Sequence, residues 1–126
     1  MRVFKTRAFS RWAGTEGLGD DALGAAVLEM EAGLIDAELG GQVVKKRVAP
    51  PGRGRRGATR TLVAFRRAEK TFFIYGFNKT ERANIGILEL KALKLLAKEL
   101  LGYPRRVLSK AMQAGELIGI RVDDDV

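Results

Sequence analysis

The segment from Gln42 to Arg67 mixes basic residues with β-branched and aromatic ones. It holds nine of the 23 basic residues of the chain, and no Asp or Glu occurs between Glu38 and Glu69. A block of like charge is usually a solvated tail, whereas alternation with β-forming residues favours strands. The segment is therefore predicted to fold with its cations held in place. Fixed cations repel one another unless an anion such as phosphate neutralises them.

Length and composition limit the class of protein. The chain has 126 residues, of which 46% are hydrophobic, so it is predicted to form a single domain over 1–126. Its formal net charge of +8 favours a polyanionic partner such as nucleic acid. No apolar run approaches the roughly 18 residues of a membrane span, and the first residues lack the apolar stretch of a secretory signal. We therefore expect a cytoplasmic protein without a membrane partner.

The absence of two residue types restricts the chemistry. The chain contains no Cys and no His, which excludes disulfides, thiolate zinc sites and nucleophile–histidine pairs. Acid–base catalysis is left to Lys, Arg, Tyr or a carboxylate. We expect no metal site and no cofactor.

Hydrophobic periodicity predicts an α+β fold. A strand at Arg2–Lys5 precedes two helices, the second with an apolar stripe from Leu23 to Leu34. Three strands and a long helix follow, at Val43–Ala49, Thr59–Arg67, Thr71–Phe77 and Ile85–Leu101. The order β-α-α-β-β-β-α predicts a small, mostly antiparallel sheet with the two N-terminal helices packed on one face. Residues 2–101 form this predicted core, and 102–126 a C-terminal helical extension.

The helix predicted over 85–101 has a wider apolar face than one small sheet needs, with Lys91, Lys94 and Lys98 on its opposite side. This width predicts packing on more than one surface, either within the chain or against a partner protein. Leu90 and Leu101 are the positions expected to be exposed to such a partner.

Alternation along the strands selects a set of cations. Successive side chains of a strand point to opposite faces, so Lys45 and Arg47 share one face while Lys46 lies on the other. We predict a positively charged surface on the face that the two N-terminal helices leave open. Its members are Lys45, Arg47, Arg60, Lys79 and Arg82. The alternative is that these are ordinary solvated surface cations.

The same residues resemble those of a known family, the RelE/ParE superfamily of bacterial toxins, and most closely its HigB-type branch. In that branch a strand and a loop of the form GKGKxGGxR precede a segment of the form F-x-x-x-F-x-K-x-x-x-x-N-I/L. The resemblance covers residues 2–101, and its most specific segments are Val43–Val48, Gly52–Gly57, Arg60–Phe65 and Phe72–Ile85.

The resemblance implies a RelE-like fold and the toxin of a type II toxin–antitoxin pair. Most such toxins are metal-independent endoribonucleases that cut mRNA on the ribosome by attack of a ribose 2′-OH on the adjacent phosphate. The family's basic pair falls on Lys45 and Arg47, its phosphate-binding Arg on Arg60, and its basic position after the last strand on Lys79, with Arg82 close by. The RNA- or ribosome-binding residues implied are Lys46, Arg53, Arg55 and Arg56.

Proton transfer is less clearly assigned by the sequence. Lys45 is the candidate base, because neighbouring like charge favours release of its proton. Some relatives use a His or a C-terminal Tyr near the cut, whereas this chain has no His and only Tyr75 and Tyr103. The mid-strand position of Tyr75 favours a packing role.

Two other classes of function remain open at the level of sequence. One is a non-enzymatic inhibitor of DNA gyrase, as in the ParE branch, and the other is a basic RNA-binding module without catalysis. The expected partners of the leading hypothesis are the ribosome, mRNA and a cognate antitoxin, commonly of helix-turn-helix type. Operator DNA would be bound only through that antitoxin.

Overall fold

One six-stranded sheet forms the centre of the part of the chain that the computed structural model describes, residues 1–52 and 58–122. The elements in order are β1 (Arg2–Thr6), α1 (Arg7–Glu16), α2 (Asp20–Glu31), β2 (Ala37–Gly40), β3 (Val43–Val48), β4 (Thr59–Arg66), β5 (Lys70–Phe77), α3 (Ile87–Leu101), α4 (Arg105–Gln113) and β6 (Leu117–Ile120). The strand order is β2-β3-β4-β5-β1-β6. Only the pairing of β1 with β5 is parallel among these strands. The predicted α+β class with a mostly antiparallel sheet is confirmed.

Helices cover both faces of the sheet. The helices α1 and α2 pack on one face, where Phe9, Leu23 and Val27 meet inward residues of the strands. The helices α3 and α4 pack on the other face through Leu100, Leu108 and neighbouring apolar residues. The prediction that both N-terminal helices share one face is confirmed. No helix of the described ranges has the length and apolarity to cross a membrane.

Two short strands at the edges of the sheet have no counterpart in the sequence prediction. β2 follows Asp36 and pairs with β3, and β6 pairs with β1 at the opposite edge. Each has four residues and contains a Gly, so neither shows a clear alternation in sequence. The segment predicted as a helical extension therefore contains α4 and also closes the sheet, with Leu117 and Ile120 buried.

The helix α3 divides its apolar residues between the core and solvent. Leu101 is 1% exposed and Leu90 packs against the core, so the expectation that Leu101 is exposed is wrong and Leu90 is only partly accessible. The side chains of Ile87, Leu88 and Leu95 are 87%, 80% and 65% exposed instead. The wide apolar face predicted for this helix thus exists, but its free positions are different ones, and Leu95 lies among the lysines that were expected on the opposite side.

Lys46 lies on the face covered by α2 and is only 7% exposed. Its Nζ is 2.7 Å from Oε1 of Glu29 and donates a hydrogen bond of 2.9 Å to the carbonyl oxygen of Leu34. A buried ammonium group requires such partners because desolvation of an unpaired charge is costly. Lys46 therefore ties the end of α2 to the sheet, and its cation is not presented at the surface.

Leu108→Ala should lower the free energy of unfolding by about 2–5 kcal/mol, because the substitution leaves a cavity under α4. Leu108 is 1% exposed, whereas Leu95 is 65% exposed and provides the matched control. Leu95→Ala should change stability by less than about 0.5 kcal/mol. Urea denaturation followed by circular dichroism measures both, and equal losses would contradict a core that includes the C-terminal segment.

Lys46→Ala should lower the free energy of unfolding by about 1–3 kcal/mol, since it removes the partner of Glu29 and of a backbone carbonyl. Lys79→Ala removes the same charge from an exposed turn position and should cost less than about 0.5 kcal/mol. Urea titration of the two variants makes the comparison. An unchanged free energy of unfolding in Lys46→Ala would show that the lysine does not stabilise the fold.

Candidate functional site

Two rows of side chains cross β3, β4 and β5 on the face that α3 covers further along. Arg47 is paired with Arg60, and Arg60 with Phe77. In the next row on the same face, Lys45 is paired with Leu62, and Leu62 with Tyr75. Directly opposed residues of antiparallel strands have Cβ atoms about 4.5–5.5 Å apart. The pairing register therefore brings Lys45, Arg47 and Arg60 together, as predicted from alternation.

Arg82 joins this group from the loop before α3. Its guanidinium carbon lies 5.9 Å from the centroid of the Phe77 ring, within the range of a cation–π contact. Its Nη1 donates a hydrogen bond of 3.2 Å to the hydroxyl of Tyr75. We call Lys45, Arg47, Arg60 and Arg82 the cation surface.

Carboxylates from outside the acid-free stretch neutralise two of the four members of the cation surface. Asp36 accepts a hydrogen bond of 3.2 Å from Nε of Arg47 and another of 2.7 Å from its backbone N–H. Glu89, in the first turn of α3, binds Arg82 through both of its oxygens. Acidic side chains therefore lie close to the basic segment in three dimensions, although the segment itself contains none. The sequence prediction missed both residues because each acid lies outside the strand or loop that carries its partner, and alternation along the strands does not reveal such contacts.

Arg82 and Glu89 form a bidentate ion pair within the site. Hydrogen bonds to Glu89 raise the pKa of the Arg82 guanidinium above its ordinary value. The same bonds, with one from the backbone N–H of Gly86, hold the pKa of the Glu89 carboxyl below its ordinary value. Nε of Arg82 also donates to the carbonyl oxygen of Asn84 at 2.9 Å. Every guanidinium nitrogen is therefore occupied, and Glu89 both caps α3 and fixes Arg82.

Three predicted cations make no ion pair with a carboxylate of the described residues: Lys45, Arg60 and Lys79. Nη1 of Arg60 donates to the nearby carbonyl oxygen of Ala58 at 3.1 Å, which leaves most of its donors unused. Lys45 is half-buried on the cation surface, and Lys79 is exposed in the turn that follows β5. Lys45 and Arg60 are the members of the cation surface best able to receive a phosphate.

Other predicted RNA-binding residues lie elsewhere. Lys46 occupies the opposite face of the sheet, where it is buried with Glu29. Arg53, Arg55 and Arg56 lie outside the described residues.

Tyr75 takes a position that its place in mid-strand did not indicate. A bulge in β5 after Phe73 leaves Tyr75 opposite Leu62, on the same face of the sheet as the cation surface. The ring is half-buried, and its hydroxyl accepts from Arg82 and lies 3.5 Å from Oε2 of Glu89. The packing role predicted for Tyr75 is therefore only part of its environment. A phenol beside a guanidinium is a group able to carry a proton.

The arrangement suits chemistry at a phosphate. Clustered Lys and Arg side chains stabilise negative charge that develops on phosphoryl oxygens. The described ranges bring together no group of three or more acidic side chains suited to a metal ion.

The comparisons with known proteins identify a family. A family model described as the RelE toxin of the RelE/RelB toxin–antitoxin system matches residues 1–120. A search of curated proteins gives no match. The resemblance to the HigB-type branch stays a prediction. Since the family match spans nearly the whole chain, from the first strand to the last, the protein belongs to the RelE family of toxins from toxin–antitoxin systems.

Proposed function

We propose that this toxin is an endoribonuclease that cuts mRNA on the ribosome and thereby stops translation. The observation that carries the proposal is the pairing of Arg47 with Arg60, beside Lys45, on one partly exposed face of the sheet. Side chains held on paired strands keep their spacing better than cations on a flexible loop, which favours catalysis at one phosphate over general attraction to RNA.

In the proposed reaction, the 2′-oxygen of a ribose attacks the adjacent phosphorus, and the bond from phosphorus to the 5′-oxygen of the next nucleotide breaks. A base removes the 2′-OH proton, and an acid supplies a proton to the leaving 5′-oxygen. Arg60 stabilises the charge of the pentavalent phosphate, and Lys45 is the candidate base. Neither residue makes an ion pair with a carboxylate of the described ranges, so both cations are available to a phosphate.

Arg47 and Arg82 contribute in a different way, since each is already bound to a carboxylate. A phosphate approaching them either replaces Asp36 or Glu89 or binds beside these acids. The two carboxylates hold the guanidinium groups in place before RNA arrives, which lowers the entropic cost of binding. Lys79 extends the positive charge past the end of β5, where the RNA backbone would continue. Arg53, Arg55 and Arg56 are proposed to bind RNA backbone of the ribosome.

Induction of the protein alone should stop incorporation of methionine before it affects DNA synthesis, because the target is mRNA. Arg60→Ala should abolish the effect, since it removes the cation at the centre of the phosphate site. Pulse labelling with methionine and with thymidine measures the two processes. Selective loss of thymidine incorporation would contradict the proposal and favour inhibition of gyrase.

Arg67→Ala is the matched control for Arg60→Ala. It removes the same charge from the exposed turn after β4, about seven strand residues or roughly 23 Å away. The control should remain toxic and should cut mRNA on purified ribosomes like the unchanged protein. Loss of cleavage in both variants would indicate that total charge, and not the cation surface, is what matters.

The antitoxin is proposed to bind the exposed face of α3. Ile87, Leu88 and Leu95 expose apolar side chains there, and Lys91, Lys94 and Lys98 lie between and beside them. Leu95 and the three lysines also line a surface cavity of about 460 Å³ beside Gly41 and Gln42. Exposed apolar residues with three lysines among them fit an amphipathic segment that carries acidic residues. A partner bound here would lie within one turn of Glu89 and would keep the toxin off the ribosome by its bulk. The antitoxin is also expected to carry the helix-turn-helix that binds operator DNA.

Leu88→Ser and Leu95→Ser should each weaken antitoxin binding at least tenfold, because each removes apolar contact area from the centre of the proposed interface. Leu34→Ser is the control, since Leu34 is 60% exposed and follows α2 on the other side of the sheet. Isothermal titration calorimetry with the purified antitoxin measures the three affinities. Unchanged affinity of both α3 variants would place the interface elsewhere, while their cleavage of mRNA should persist.

A further inference from the structure

A second cavity adjoins the cation surface at the edge of β5. The register of β1 with β5 ends at Phe73, because the chain turns into α1 after Thr6. Beyond that point the last residues of β5 have no strand beside them on the β1 side. A cavity of about 420 Å³ lies at this edge, lined by α1, the end of β5 and the following turn. Its volume is within the range of roughly 300–1,000 Å³ found for small-molecule sites. We call it the edge cavity.

The wall of the edge cavity is aromatic. Trp12 of α1 lies over Gly76, where any side chain would overlap the indole ring. The Phe9 ring packs 5.5 Å from the Trp12 ring, and Tyr75 lines the cavity from β5. Trp12 remains partly exposed, so its ring is not wholly used by the core. Glycine at position 76 thus allows a large aromatic ring to sit at the surface of the sheet.

Polar groups line the rest of the edge cavity. Glu81 accepts a hydrogen bond of 2.9 Å from the Asn78 amide through Oε1. The same amide donates to Glu16 at 2.6 Å, which links the turn to the end of α1. In the described ranges no hydrogen bond is made to Oε2 of Glu81, so this oxygen is left to accept one. Arg82 lines the cavity too and is shared with the cation surface.

We propose that the edge cavity binds one unstacked nucleobase of the RNA whose phosphate lies on the cation surface. Single-stranded RNA is commonly recognised by stacking of its bases on aromatic side chains and on arginine. Trp12 and Arg82 supply both kinds of surface, and Glu81 accepts a hydrogen bond from an exocyclic amino group of the base. The cavity therefore favours a base with an amino group, such as cytosine, over uracil. The inference rests on the proposed function, since it places a base beside the phosphate that is cut.

The test uses the fluorescence of Trp12, the single tryptophan of the chain. The probe is a trinucleotide of deoxycytidine, which lacks the attacking 2′-OH and cannot be cut. Its control is the abasic trinucleotide with the same phosphates. The cytosine probe should quench Trp12 and bind about tenfold more tightly than the abasic probe, in line with the energy of one stacked base. The affinity of a deoxyuridine trinucleotide should lie between the affinities of the cytosine and abasic probes.

Two variants distinguish binding of the base from binding of the phosphate. Trp12→Leu should weaken binding of the cytosine probe about tenfold and leave binding of the abasic probe unchanged. Calorimetry measures both affinities. Unchanged abasic binding also shows that the variant is folded. Glu81→Gln should remove the preference for cytosine over uridine without loss of stacking.

Different failures have different meanings. Equal affinity of the cytosine and abasic probes, or binding without a change in Trp12 fluorescence, overturns the edge cavity as a base site and leaves the phosphate chemistry intact. A fluorescence change on adding the antitoxin, with none on adding the cytosine probe, overturns it in favour of a protein interface. Failure of both probes to bind would count against the edge cavity and against the proposed nuclease site alike.

Discussion

The antiparallel pairing of β3 with β4 is the interaction on which the rest of the structure depends. Its register is reinforced by two fully buried hydroxyl groups, those of Thr59 and Thr61, which donate to backbone carbonyls of β3. A slip of one residue would exchange the faces of Lys45 and Lys46. One lysine would then leave its partners in the core, and the other would leave the cation surface. The same pairing therefore sets both the stability of the sheet and the geometry of the site.

Several cations of this protein are neutralised by carboxylates that belong to other helices or loops. Glu29 of α2 neutralises Lys46, Asp36 before β2 binds Arg47, and Glu89 of α3 binds Arg82. These pairs reduce the repulsion that a dense basic segment would otherwise suffer. Lys45 and Arg60 are left without carboxylate partners in the described ranges, at the place where β3 and β4 bring basic side chains face to face. The protein is thus neutralised where charge would disturb folding and remains positive where an anion is expected.

The helix α3 connects the core, the cation surface and the solvent. Its C-terminal half buries Ala97, Leu100 and Leu101 against the sheet, while Glu89 in its first turn positions Arg82. Its outer side exposes Leu88 and Leu95. A partner that binds this outer side lies next to the group that holds Arg82. Binding of antitoxin and access of RNA are therefore expected to be linked through one helix.

The sequence by itself determined the α+β class, the two N-terminal helices on one face, and the grouping of Lys45, Arg47 and Arg60. It did so because alternation along strands and periodicity along helices are local properties that each segment carries. Only the tertiary structure decided the edge strands β2 and β6, the buried state of Leu101, and the positions of Asp36, Glu89 and Tyr75 beside the cations. Each of these depends on how separate elements are placed against one another in the fold, or on a bulge that breaks simple alternation. Four-residue strands are stable only when they pair with a neighbouring strand. A carboxylate can neutralise a cation only when the fold brings the two groups together.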